Sequence, residues 1–185
     1  GSLGKLAEYV REATAVVEVV AIGGNPIGSE GGATLLETIK TSKLKTIDIG
    51  KPLPLQQPYE SDTLDLSKTG MDPGHVLLLS WWLATDAGAA LTSINCLANN
   101  FGDDDLATLL TAIEGTSVRS LCGLTEGQTV ADFSGQNLGP IDVKIMKTRV
   151  AVKGGTFAAL GTRFGEVIDD PDEDNEVRLR WLDDG

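Results

Sequence analysis

A chain of 185 residues with 41% hydrophobic content can bury a real core as one domain, with or without a small appendage. Lys plus Arg number 15 against 27 Asp plus Glu, and the formal charge of −12 disfavours nucleic-acid phosphates and anionic lipid surfaces, leaving a basic surface as the expected charged partner. The longest apolar stretch, "VLLLSWWLA" from Val76, is far short of the roughly 18 to 20 residues of a membrane span, and two cysteines give no disulfide framework.

In chain order, the opening "LGKLAEYVREA" sets Leu3, Leu6 and Val10 on one helical face and carries no secretory signal. It reads as the helix of a repeat whose strand is missing, which suggests a fragment. The cysteine usage points to a reducing, intracellular setting, the cytoplasm first, with an organelle left open by an N-terminus that reads as incomplete.

From Val17 to Gly28 the apolar residues Val17, Val20 and Ile22 stand at positions one, four and six, Asn25 at nine and Ile27 at eleven. Positions four and six are two apart, so both side chains leave a strand on one face and enter a core. The asparagine can bond backbone groups where the chain turns away, and stacked copies would make a ladder. Gly23, Gly24 and Gly28 lack a Walker lysine and the GxGxxG spacing, so they read as turn residues rather than a phosphate loop. Ser29 is the expected cap of the helix "EGGATLLETIK".

Leu44, Ile47 and Ile49 form a second rung without the asparagine, and "GKPLPLQQPYE" after it is proline-rich and expected to run extended. A third rung starts at Ser61 with Leu64 and Leu66. Asp72 and Pro73 then open a helix holding His75, Trp81 and Trp82. The first pattern returns 74 residues on, as Leu91, Ile94, Cys96, Asn99 and Phe101, with Asp103 as the expected cap of "DDLATLLTAIEG". Val118 and Leu121 make the next rung. Ala131, Phe133, Leu138 and Pro140 repeat Leu64, Leu66, Met71 and Pro73 at an offset of 67.

These copies resemble the leucine-rich-repeat pattern LxxLxLxxNxL of the ribonuclease-inhibitor-like class, over roughly residues 1–145. The resemblance implies an α/β solenoid, a horseshoe arc with a parallel concave sheet and helices outside, built here from a duplicated multi-repeat block. It also implies a non-catalytic binding scaffold. Position five of each rung would project from the concave sheet, and down the rungs it reads Ala21, Asp48, Asp65, Asn95, Cys122 and Asp132. Asp48, Asp65, Asn95 and Asp132 are therefore the expected partner contacts, with Asp48 and Asp65 on neighbouring strands about 4.8 Å apart. Adjacent Trp81 and Trp82 cannot both point inward, so one is core and the other packs on the surface or anchors a partner. Cys96 at position six and Cys122 at position five should face apart, one to the core and one to the concave surface, without a disulfide.

Residues 146–185 read as a β-rich, truncated appendage. Arg163–Ile168 and Glu176–Leu182 alternate like strands around "DDPDEDN", resembling half of a small Src-homology-3-like or Tudor-like barrel. Asp170, Asp172 and Asp174 have calcium-loop spacing, but Asn175 and Trp181 stand where the loop needs glycine and glutamate, so a solvated hairpin tip is expected. His75 is the sole histidine, expected in a capping or surface role, and no metal, cofactor or catalytic set emerges. The expected function is a non-enzymatic protein-interaction scaffold binding on its concave face. The alternative is a structural or accessory subunit buried in a larger multiprotein assembly.

Overall fold

The computed structural model describes residues 4–6, 8, 17–148, 163–167 and 179–183. Residues 4–6 and 8 are helical. The elements that follow are β1 (Val19–Ala21), α1 (Gly28–Thr41), β2 (Thr46–Asp48), β3 (Pro52–Pro54), β4 (Thr63–Asp65), α2 (Pro73–Leu83), a 3-10 turn (Asp86–Gly88), β5 (Ser93–Asn95), α3 (Asp103–Ile113), α4 (Pro140–Lys147), β6 (Arg163–Val167) and β7 (Leu179–Asp183).

This is a small mixed α/β domain with short sheets, not the expected leucine-rich-repeat solenoid. Strand order is β1-β2-β3 in one sheet and β4-β5 in another, with no single parallel concave sheet running through them. The pairs β1–β2 and β4–β5 are parallel, but β3 returns antiparallel to β2, setting Leu53 opposite Ile47. Of the proline-rich link only Pro52–Pro54 runs extended, as a strand of the first sheet, with bends at 50–51 and 55–57.

The physical reason for the break lies in the prolines. Leu55 N–H donates inward to Lys45 O (2.7 Å), and the alternation of an antiparallel strand then turns positions 52 and 54 outward. Both are proline and offer no N–H, so the outer edge of β3 cannot continue the ladder. The outward carbonyl of Pro54 instead accepts the indole N–H of Trp82 (2.6 Å).

Most core positions read from the spacing are core positions in the fold, with Val17 and Ala131 only partly buried. Val20, Ile22, Ile47, Ile49, Leu64, Leu66, Ile94 and Cys96 are all buried. Fully burying one such aliphatic side chain is worth about 1.5–3 kcal/mol, so these alternating positions hold the short strands against the helices. In α1 the buried residues Gly31, Gly32, Leu35 and Ile39 form one stripe. A Cβ on Gly32 would stand 2.6 Å from Gly74 Cα, so α1 and α2 meet backbone to backbone there, which accounts for the glycine.

Asn25 Nδ2 bonds the carbonyls of Ile22 and Gly23 within its own turn. Asn99 reaches further, donating to Leu66 O (2.8 Å) and Cys96 O (3.0 Å) and accepting from Met71 N–H (3.0 Å). The two asparagines serve separate turns rather than a stacked ladder. Gly24 (φ 73) and Gly28 (φ 63) adopt left-handed turns, and a Cβ on Gly23 would meet Gly50 N at 2.5 Å. The glycine-rich stretch is thus turn and contact geometry.

Two helix starts differ from expectation. Ser29 lies inside α1, whose N-cap is Ile27 without a side-chain bond. The Gly28 N–H is taken by Asp72 Oδ2 (2.7 Å) from across the fold, so a distant acid supplies what the serine was expected to give. Asp103 is the first residue of α3 rather than its cap, and Asp105 Oδ2 accepts the N–H of the N-cap Gly102 (2.9 Å). Asp72 does cap α2, with Pro73 in the first turn.

The appendage shows the expected pair of strands with shifted ends: β6 and β7 are antiparallel, Arg163 opposite Asp183 and Val167 opposite Leu179. They form a two-stranded sheet with no further strand among the described residues, so no Src-homology-3-like or Tudor-like barrel is present there. Asp170, Asp172, Asp174 and Asn175 lie outside the described residues.

Candidate functional site

Asp48, Asp65 and Asn95 are the last residues of β2, β4 and β5, where each strand must turn. In every case the side chain makes the turn. Asp48 Oδ1 accepts from Gly50 N–H (2.8 Å), Asp65 Oδ1 from Ser67 N–H (3.0 Å) and hydroxyl (2.7 Å), and Asn95 Oδ1 from Leu97 N–H (3.2 Å). Asp132 repeats the motif on Ser134 N–H (2.9 Å). A carboxylate or amide two residues before a backbone N–H closes such a turn, which is why Asp and Asn recur in this column.

Asp48 and Asp65 commit Oδ1 to the backbone and leave Oδ2 without a partner among the described residues, whereas the Asp132 carboxyl is bonded by both the N–H and the hydroxyl of Ser134. Asp65 and Asp132 are exposed, Asp48 and Asn95 half-buried. Hydrogen bonds from the Ser134 hydroxyl and N–H hold the Asp132 carboxyl below its ordinary range.

Parallel register sets Asp65 directly opposite Asn95. Lys68 Nζ donates to Gly135 O (3.3 Å), tying the turn after Asp65 to the turn after Asp132. Those two turns match residue for residue: Lys68 (φ 56) and Gly135 (φ 61) are left-handed, as are Gly70 (φ 74) and Asn137 (φ 57). Asp65, Asn95 and Asp132 thus belong to one connected set of turns. Asp48 lies in the other sheet, beyond the proline strand, and is not the strand neighbour of Asp65.

The two tryptophans divide their roles. Trp82 is fully buried, its ring edge-on to Tyr59 (5.7 Å, 90°), so burial closes it to a partner. Trp81 is half-buried and keeps exposed surface.

Sequence reasoning found Asp72 as a cap but missed its reach to Gly28, and it missed Asp142 altogether; both are buried acids that organise the domain. Asp72 Oδ1 accepts from Gly74 N–H (3.0 Å) and His75 N–H (3.3 Å) and lies 2.7 Å from His75 Nδ1, while Oδ2 holds Gly28 N–H. Burial alone would raise its pKa, but the bonds from Gly28 and His75 outweigh it, and the carboxyl sits below its ordinary value. Asp142 Oδ2 accepts from Gly139 N–H and Oδ1 from Ala98 N–H, both 2.7 Å. An acid three residues past Gly139, in the first turn of a Pro-led helix, was the available signal for the first of these bonds. The reach to Ala98 left none.

His75 is fully buried in this cap, with Nε2 3.5 Å from Ile22 O, so it offers no base to a bound substrate. Burial first, then nearby Cys122 and Asp65, pushes the Cys96 thiol up to about 12, and burial also raises Cys122. Both cysteines are free and kept as thiols, a poor state for nucleophilic chemistry. Cys122 was expected on an open face, yet it is buried beside the Ser120 hydroxyl (3.5 Å).

No protein-family model matches the chain, and no curated protein matches it. The leucine-rich-repeat and small-barrel resemblances therefore gain no support from relatives. No described helix is long and apolar enough to cross a membrane.

Proposed function

We propose that the protein is a non-enzymatic interaction module that receives a Lys- or Arg-bearing segment of a partner protein on the turn set of Asp65, Asn95 and Asp132. Asp48 and half-buried Trp81 offer further contacts. The observation that carries this reading is the way each carboxylate is fixed by its own turn. Oδ1 is held by a backbone N–H in all three, and in Asp48 and Asp65 Oδ2 is open, so the acceptor is oriented before a cation arrives and little side-chain ordering is left to cost affinity. The formal charge of −12 would steer a basic ligand and repel nucleic acid. Two buried free thiols suit a reducing intracellular compartment such as the cytoplasm.

Asn95 supplies the control, because it closes the same turn with a neutral amide. The triple variant Asp48→Asn, Asp65→Asn, Asp132→Asn removes three charges while keeping each Oδ1 acceptor. Binding of a fluorescent Lys/Arg-rich peptide should weaken at least about tenfold at low salt, with an unchanged melting temperature. Unaltered affinity would remove the site assignment.

A second reading, an accessory subunit of a larger assembly, is favoured by the exposed apolar side chains Val19 (59%), on the outer strand of the first sheet, and Val130 (70%). Sedimentation separates the two: a stable monomer supports the module, and obligate association supports the subunit.

A further inference from the structure

Residues 119–122 run beside β5: Arg119 N–H donates to Thr92 O (2.7 Å), Ile94 N–H to Ser120 O (2.9 Å) and Cys96 N–H to Leu121 O (2.9 Å). Ser93 pairs with Ser120 and Asn95 with Cys122, and the spacing of two within each strand sets all four on one face. From Gly123 the chain turns back against this face. A Cβ on Gly123 would stand 3.0 Å from Asn95 Cβ, and Leu124 N–H donates to Ser120 Oγ (3.0 Å).

At three of the four positions that face is closed: Ser93, Ser120 and Cys122 are 2%, 4% and 7% exposed, while Asn95, opposite Asp65, is half-buried. Ser120 Oγ has its acceptor capacity engaged by the N–H groups of Cys122 (3.3 Å) and Leu124, and Ser93 Oγ has no hydrogen-bond partner among the described residues. A buried, unpaired hydroxyl works against the closed arrangement.

The segment is anchored at its start, where Gly123 N–H donates to Ile94 O (3.0 Å), and lightly held beyond Leu124. Gly123 (φ 80) and Gly127 (φ 77) both adopt left-handed backbone, and between them Thr125 N–H closes a small turn on Gln128 Oε1 (3.1 Å). Leu124 is half-buried, whereas residues 126–130 are exposed. Few buried contacts and glycine at both bends are the features of a locally opening unit.

We propose that residues 123–128 form a glycine-hinged strap whose local opening releases Asn95 and uncovers Ser120 and the adjoining Cys122, giving the partner-binding face a closed and an open state. As a control on that face it rests on the interaction reading above; the opening itself is measured with no partner present.

The two thiols report it. The whole chain is exposed under native conditions to a thiol-alkylating reagent, and each cysteine is followed by peptide mass mapping. Cys122 should label at least about tenfold faster than Cys96, as expected when a sub-global opening lies roughly 1.4 kcal/mol or more below global unfolding. Gly127 is exposed with open space around it, so Gly127→Val strains only the hinge and should speed Cys122 labelling several-fold. Gly127→Asn, better tolerated in left-handed backbone, should stay near wild type in labelling and melting temperature; strain in the closed state lowers local opening and global unfolding alike, so in Gly127→Val the Cys96 rate rises by no more than the same factor, the melting temperature falls slightly and Cys122 keeps its lead. Equal rates at the two cysteines, Cys122 labelling at the rate of an unprotected thiol, or no response to Gly127→Val would each overturn the strap. None of these outcomes bears on the acid-to-amide binding test, so the two readings fail separately.

Discussion

The starts of α2 and α4 solve one problem with different residues. In the first half, Asp72 is the N-cap and also holds Gly28 N–H, 44 residues earlier in the chain, while His75 at the third helical position completes the cap. In the second half the cap is Gly139, and Asp142 at the third position takes both bonds, one to Gly139 and one to Ala98, again 44 residues earlier. At the repeat offset of 67, Asp72 corresponds to Gly139 and His75 to Asp142. The carboxylate has changed position while the bond to a left-handed backbone N–H persists. What the fold requires is a carboxylate on that half-buried donor, not an aspartate at a fixed place in the motif.

The largest effects should come from deleting the two acids. Asp72→Ala strands Gly28 N–H, the cap donors and His75, and should cost about 4 kcal/mol; Asp142→Ala strands two donors and should cost about 3 kcal/mol. Urea unfolding measures both, and a reversed order would break the comparison. Next comes the exchange itself. The double variant Asp72→Gly, His75→Asp copies the second-half arrangement into the first and should recover about 1–2 kcal/mol of the loss in Asp72→Gly alone. No recovery would mean that the two starts are not interchangeable.

Smaller effects belong to the donors. Gly28 has open space around it but a φ of 63, so Gly28→Ala should cost about 1 kcal/mol. Ala98 holds φ 56 against its preference, and Ala98→Gly should stabilise by about 0.5 kcal/mol, the relief of strain exceeding the added chain entropy. Thermal melts of the pair test whether Asp142 holds a strained residue where Asp72 holds a relaxed one.

The subtlest expected effect is on pH. The folded Asp72 carboxyl titrates below its ordinary value of 3.8, so its contribution to stability is present above about that pH and is lost as pH falls through the folded value. Wild type should therefore destabilise more steeply than Asp72→Asn below about pH 4, with parallel curves at neutral pH. Parallel curves throughout would remove the ionised carboxylate from the account.

Much of the local structure was legible. The two-residue spacing marked Val20, Ile22, Ile94 and Cys96 as core, and adjacent tryptophans had to part, as Trp82 and Trp81 do. The polar column was legible as a column, but its residues read as outward contacts when each first serves its own turn. A side chain two residues before a turn N–H has that local option whatever lies beyond it. The sheet break was the costlier misreading. Pro52 and Pro54 correctly signalled extended chain, yet their direction of return was hidden, and antiparallel pairing turned an expected arc into two short sheets.

By itself, then, the sequence determined the periodic core, the internal repetition, the cap at Asp72 and the acidic balance, because these depend on neighbours within a few residues or on composition. Tertiary structure alone decided where the first sheet ends, that Asp72 and Asp142 would seize backbone donors 44 residues away, and that Cys122 would be covered. Such contacts join parts of the chain whose approach is set by packing, and no local spacing records which buried N–H will need an acceptor.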